Sequence, residues 1–346
     1  MTERSERGGS RRDDRGGYGD RGYRGGSGGD RGYRGDRGYR GGSGYRGGSG
    51  GGRGGDRGYR DGERSRSRRV YDDEPRDGLL ADLVGHLHAL DGRSYAAYKA
   101  IVGRYRAPAG WFLHIDRVQS DPYAPPTRIH VDVPTDLHGL ELLDEADLLA
   151  DADRRLAVGD FLTRELHAGF RGTALSIASP GQEILQRSSV ILRPDEKKEG
   201  TGWVLEVRAR LALPAQGRSI QGHEASRIVG RDLVRELEEA MDLTGERGDR
   251  LVRHVATLED HRALTATVAR NGWVAFLADG SVLPRRSGVS DDPLDGGVPL
   301  QAPESMAATV ELPHAGTVRG TVVEAGVNVI VGGGYHGKST LLSAIE

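Results

Sequence analysis

The sequence predicts an α/β protein in three parts: a disordered Arg/Gly-rich tail over residues 1–69, an α+β domain over 70–304, and the opening strands and loop of a second α/β domain over 305–346. Three observations carry this division. The first 69 residues hold 25 of the 54 glycines and 19 arginines, with almost no Val, Ile, Leu or Phe. Beyond them, apolar residues recur with helical period in some segments and with period two in others. At the end, an apolar run at 327–331 meets a glycine-rich loop and then Leu341-Leu342.

The tail cannot bury enough apolar surface to offset the entropy of ordering it, which predicts disorder. Over 15–60 short units of the type RGGYGDRGYRGG repeat, so that Arg21, Tyr23, Arg31, Tyr33, Arg37 and Tyr39 come at near-regular intervals. Each guanidinium can pair with a phosphate or stack on a base, and each tyrosine offers a flat stacking face. These are ingredients for contact with RNA or DNA, or for a condensate. A solubilising linker is the alternative, since Asp20, Asp30, Asp36 and Asp56 dilute the positive charge. The tail holds 19 Arg against 10 Asp plus Glu, about +9, and the remainder 30 basic against 41 acidic residues, about −11. A cationic arm on an anionic body suits a polyanionic partner, or folds back on its own body.

The chain has no cysteine, which excludes disulfides, thiolate metal sites and a cysteine nucleophile. No apolar run approaches the ~20 residues of a membrane span, and the charged N-terminus lacks the apolar stretch of a signal peptide. The expectation is a cytoplasmic protein without a membrane partner.

The α+β part opens with a helix from about 77 to 91, where Leu79, Leu80, Leu83, Val84, Leu87 and Leu90 share a face and Gly92 supplies the stop. A second helix is expected over 95–105. Alternating strands follow at 113–118 and 128–133, separated by the helix-incompatible DPYAPP. A long helix is expected over 152–168 and strands over 183–192 and 204–213. Helices should then span 224–241, 249–256 and 258–270, the last capped by Asn271-Gly272. The segment WVAFLADGSVLP reads as a hairpin closing on Asp279-Gly280. Strands at 309–312 and 317–323 open the last part.

On the solvent face of the expected sheet lie Arg128, His130, Arg208 and Arg210. If their strands are neighbours they form a basic surface suited to a phosphate backbone. Charged residues on the wet face of any soluble sheet are the plainer reading. The histidines show no metal spacing: His86 with His88, and His254 with His261, lack partners. The acidic pairs Asp291-Asp292 and Glu259-Asp260 read as loop or cap residues. Arg285 and Arg286 follow the expected hairpin, in a loop or facing phosphates.

Gly332, Gly333, Gly334, Tyr335, His336, Gly337, Lys338, Ser339 and Thr340 match G-x-x-x-x-G-K-[ST], between an apolar strand and a helix start. The glycines let successive backbone N–H groups converge on a phosphate, and the helix start adds its partial positive charge. Lys338 is the candidate catalytic residue, reaching the β- and γ-phosphates of ATP. Ser339 is the candidate Mg2+ ligand, with Thr340 on the adjacent phosphate.

The loop GGGYHGKSTLL at 332–342, together with the blocks LDGRSYAAYKAIVGRYR, HIDRVQSDPYAPPTR, DFLTREL, LPAQGRSIQG and VAFLADGSVLPRRSGVSD, resembles the predicted ATPases of the ABC class. The resemblance spans most of 77–346. It implies an α/β N-terminal domain joined to an ABC-type nucleotide-binding domain without membrane spans, working as a homodimer around two ATP molecules. The family's Asp-Glu pair, signature loop and switch His would all lie beyond Glu346. The chain is therefore expected to be a fragment or truncated product, unable to hydrolyse ATP alone. The leading functional expectation is an ATPase acting on or with nucleic acid. The alternative is a non-enzymatic RNA-binding or condensate protein with a vestigial loop; another P-loop enzyme, such as a kinase, fits the loop spelling less well.

Overall fold

The computed structural model describes residues 76–196 and 202–346. Expectations for the tail, including its Arg and Tyr residues, fall outside these residues.

The described residues begin with strand β1 (Arg76–Leu79), which leads directly into helix α1 (Leu80–Ala89). Helical spacing alone started this helix at 77. The first residues are drawn into a strand instead, because β1 pairs in parallel with β2 (Gly103–Arg106). Gly103 sits opposite Arg76, where a Cβ would lie 2.3 Å from the Arg76 carbonyl oxygen. Only glycine lets the strands come this close. In α1, Asp82 accepts from the Leu79 N–H at 3.0 Å, and Leu80, Leu83 and Leu87 enter the core. The helix expected over 95–105 is a 3₁₀ segment, Tyr95–Ile101, after which the chain extends into β2. The Tyr95 and Tyr98 hydroxyls bond the Leu213 and Pro214 carbonyls, pinning the segment to the end of a distant strand.

Strands β3 (Phe112–Arg117) and β4 (Thr127–Pro134) appear where alternation placed them, followed by a short helix α2 (Leu142–Glu145) and the long α3 (Ala152–Gly169). Asp151 caps α3 by accepting from Arg154 N. After β5 (Leu175–Ser176), the strand expected over 183–192 is restricted to β6 (Val190–Pro194), because residues 183–187 are tied to α3, Arg164 donating to Glu183 O and Arg187 to Asp160, instead of joining a ladder. Strand β7 (Trp203–Leu211) completes a sheet in the order β1-β2-β3-β4-β7, with β5 and β6 along the far edge of β7. All pairings beyond β1–β2 are antiparallel.

One face of this sheet is core. Ile129, Val131 and Val133 of β4 join Leu205, Val207 and Leu211 of β7 in a single cluster with Leu83 and Leu87 of α1 and Val158, Leu162 and Leu166 of α3. The cluster also takes residues from the continuous helical segment formed by α4 (Gly222–Arg227), a π-helical turn (Ile228–Leu233) and α5 (Val234–Met241), which follows the small hairpin β8 (Ala215–Gln216) and β9 (Ser219–Ile220). Gly222 presses on α1: a Cβ there would lie 2.4 Å from the Leu87 carbonyl oxygen. The opposite face of the sheet stays open to solvent.

The two helices expected at 249–256 and 258–270 are one, α6 (Gly245–Arg270), since Thr257 introduces no break. Gly272, at φ 68, ends it. The hairpin expected on Asp279-Gly280 does not form. Strand β10 (Trp273–Ala278) pairs with β14 (Gly316–Glu324), which also pairs with β13 (Ala307–Leu312), giving a small sheet β10-β14-β13. The turn at Asp279 is fixed from outside: its Oδ1 accepts from Ala302 N at 2.6 Å, and Gly280 N donates to Leu300 O. Between lie the short pair β11 (Arg285–Ser287) and β12 (Ser290–Pro293), and the chain ends in α7 (Lys338–Ile345).

Candidate functional site

The glycine-rich loop at 332–340 follows an apolar run that has no ladder partner among the described residues. The strand expected at 327–331 is therefore absent here, and Val327, Val329 and Val331 stand 96 %, 76 % and 81 % exposed. A strand is held by neighbours on its hydrogen-bonding edges, and no described strand lies beside this one. The loop itself is tightly wound. Tyr335 and Gly337 take left-handed conformations, at φ 62 and φ 75, and Gly337 is the residue from which α7 starts.

Lys338 opens α7 and folds back over the loop, its Nζ donating to the Gly333 carbonyl oxygen at 2.5 Å. The Gly333 N–H donates in turn to His336 Nδ1 at 3.0 Å. No side chain caps α7, so the N–H groups of its first turn are open to a ligand. Together the loop and α7 line one side of a cavity of about 870 Å³, whose other side carries Leu283, Pro284, Leu294, Val298 and Leu300. An ammonium, the hydroxyls of Ser339 and Thr340, and a helix N-terminus converge here, a set suited to phosphate and a hard cation. The cavity is within the size range of small-molecule sites, and its apolar wall suits a base.

The second candidate surface is the open face of the large sheet. The register of β4 and β7 sets Arg128 opposite Arg210 and His130 opposite Arg208, so the structure brings all four together. Their charges are not equally available. Arg208 lies 2.6 Å from Glu206, which also holds Arg193 at 3.0 Å. Burial pushes the Glu206 carboxyl up, but Arg208 and Arg193 outweigh it and hold the group below the usual range. Arg128 and Arg210 make no ion pair among the described residues, and neither does Arg117. These three line a groove of about 760 Å³ together with His130 and Ser189. Strict alternation from Leu113 and Ile115 would set Arg117 on the buried side. A register shift between Ile115 and Arg117 turns it to face Arg128, and no pattern in the sequence marks that bulge.

Two family models match this chain. One describes the N-terminal part of an ATPase of the ABC class and covers residues 80–243; the other describes the P-loop domain of the same ATPases and covers 247–346. The chain belongs to the ATPases of the ABC class. A comparison with curated proteins gives no match.

In this ABC-class ATPase the two matched regions meet where Thr244 precedes α6, so α6 lies in the P-loop model while its Leu251, Val255 and Leu258 belong to the core of the N-terminal region. α6 also anchors the P-loop region's own small sheet: Asp260 accepts from His314 N and Ala315 N, at 2.8 and 2.9 Å, in the β13–β14 turn. Arg285 and Arg286 do not face the loop. Arg285 donates to Gln182 Oε1 at 2.7 Å, and Arg286 pairs with Asp292 and Asp295. Among the described residues, no helix of the ATPase is long and apolar enough to cross a membrane.

Proposed function

We propose that this ABC-class ATPase binds ATP with Mg2+ at residues 332–340 and works on nucleic acid held in the arginine groove of its N-terminal region. The observation that carries the first half is Lys338, poised on the first turn of an uncapped helix with its amine over the loop and a cavity of about 870 Å³ in front of it.

On this reading the Lys338 amine leaves the Gly333 carbonyl for the β- and γ-phosphates, and Gly333 N–H leaves His336 to join the amides that ring the β-phosphate. Ser339 holds the metal through its hydroxyl, and Thr340 contacts the adjacent phosphate. Bound Mg2+ supplies charge neutralisation for the phosphates. The ABC-class relationship further suggests two copies closing around two nucleotides.

The second half rests on three guanidiniums, those of Arg117, Arg128 and Arg210, gathered on one open face without an ion pair among the described residues. Arginines free of carboxylates can be given wholly to phosphates.

Titration of the chain with a fluorescent ATP analogue and Mg2+ tests the nucleotide site. Lys338→Ala is expected to weaken binding at least about tenfold, in line with the loss of a charge-assisted hydrogen bond. Equal affinity in the variant would refute the assignment.

A further inference from the structure

Two His-x-Asp triplets, His114-Ile115-Asp116 in β3 and His130-Val131-Asp132 in β4, lie on neighbouring antiparallel strands. The register places His114 directly opposite His130. Both imidazoles therefore emerge on the open face, and each histidine meets the aspartate of the other strand. The rings stack, with centroids 4.1 Å apart and 11° between their planes.

The hydrogen-bonding of this quartet is incomplete. His130 Nδ1 lies 2.9 Å from Asp116 Oδ2. An ionised carboxylate only accepts, so Nδ1 carries a proton, and in the neutral imidazole Nε2 is the nitrogen with the lone pair. His114 Nε2 is buried with no hydrogen-bond partner, 3.5 Å from Asp132 Oδ2. Asp132 Oδ1 is met by the Arg193 guanidinium, 2.8 Å away. A buried polar atom without a partner, as His114 Nε2 is, is rare, and a bound ion is one of the things that explains it. One donor atom from each of His114, His130 and Asp132 falls within 4.8 Å of the other two.

We infer that His114, His130 and Asp132 form a binding site for a divalent transition-metal ion, with Asp116 holding His130 in its ligating orientation. Two imidazoles and a carboxylate suit zinc and its neighbours, whereas Mg2+ and Ca2+ require oxygen donors. Three protein ligands leave a further position for water or an anion. The Asp116–His130 bond is the outer-shell arrangement that fixes a metal-binding imidazole, and Arg193 on the far oxygen of Asp132 steadies the carboxylate in the same way. The rings lie face to face, so ion entry splays the stack. The rings have room to do so, their side chains being 22 % and 24 % exposed. The site shares no residue with the nucleotide loop, and its two imidazole nitrogens separate its ion from one held by Ser339.

The test uses the whole chain, stripped with a chelator and free of nucleotide. It is titrated with Zn2+ in a calorimeter and with Co2+ by visible absorption. One equivalent of each should bind, with a Co2+ band of low coordination number that Zn2+ abolishes. His114→Gln and His130→Gln should each weaken binding at least about tenfold, and Asp116→Asn by about tenfold with the band retained, the range seen when outer-shell partners are removed. Circular dichroism reads the fold of each variant; should a histidine variant lose secondary structure, Asp116→Asn decides. Absence of heat and band, or one equivalent bound unchanged in these variants, overturns the proposal. Ser339→Ala should leave Zn2+ binding intact, and a loss there would place the ion at the loop and overturn it as well.

Discussion

His254 Nε2 lies 3.0 Å from the carboxylate of Asp160, a side chain with no solvent exposure that Arg164 and Arg187 already bond. A lone carboxylate at this distance would favour the imidazolium. With two guanidiniums on it, protonating His254 would place a third cation on one anion in a desolvated site. Burial, and then the charge of Arg164, accordingly push the imidazole down to about 4. The histidine stays neutral and donates its Nε2–H to Asp160.

Stability should therefore fall with acid in a defined window. The unfolded chain takes up a proton on this histidine near its ordinary pKa of about 6.5, and the folded chain refuses it until about 4. Stability from this group is full above 6.5 and is lost as pH falls towards 4. Between pH 7.5 and pH 5 the loss should be about 2 kcal/mol by proton linkage. Urea denaturation at both pH values measures it, and His254→Gln, which keeps a donor without titrating, should remove most of the difference.

Asp160→Ala should be far more damaging. The carboxylate joins α3, the 183–187 segment and α6, and without it Arg164, Arg187 and His254 lose their common partner. Removing one side of a buried ion pair costs roughly 3–5 kcal/mol, because the remaining charge is left without compensation. Chemical denaturation should show a loss of that order, and a loss well below 1 kcal/mol would mean that water replaces the carboxylate.

The parts of this fold that were legible in the sequence are those with two unlike faces. Ile129, Val131 and Val133 against Arg128, His130 and Asp132 give both the strand and its orientation, and the residues of α3 are read as easily from helical spacing. What escaped depends on partners far away in the chain. The Asp279-Gly280 turn looks like a hairpin until Ala302 and Arg319 are seen to claim Asp279. Arg76–Leu79 becomes a strand only because Gly103 admits it. The loop at 332–340 is readable because its chemistry is local, whereas the strand before it requires neighbours that a local pattern does not contain. Asp160 carried a signal that could have been used: a lone acid on the buried stripe of α3, between Ala157 and Phe161, implies a buried partner. The His-x-Asp triplets were visible as text, but their convergence depends on the β3–β4 register.

Ser339→Ala should separate metal from nucleotide at the loop. The hydroxyl is the proposed Mg2+ ligand, whereas Lys338 and the backbone amides hold phosphate directly. Nucleotide affinity measured with Mg2+ should fall towards the value measured with EDTA, and the EDTA value itself should move little. An identical Mg2+ response in the variant would remove Ser339 from the metal's coordination.

Arg128→Ala with Arg210→Ala tests the groove, and Arg208→Ala supplies its control. Arg128 and Arg210 face each other across β4 and β7 without carboxylate partners among the described residues, so both charges are available to phosphates. Arg208 stands on the same face but is held by Glu206 at 2.6 Å, and a nucleic acid would have to break that pair to use it. Removing one guanidinium that neutralises a phosphate should reduce the slope of log affinity against log salt by roughly 0.7 for a single strand. The double variant should therefore bind a single-stranded RNA oligonucleotide more weakly and with a slope shallower by about 1.4, while Arg208→Ala stays near the parent. The tail is identical in parent and variants, so the comparison isolates the sheet. If the double variant binds with the parent's slope, nucleic acid is held elsewhere and the groove has another ligand.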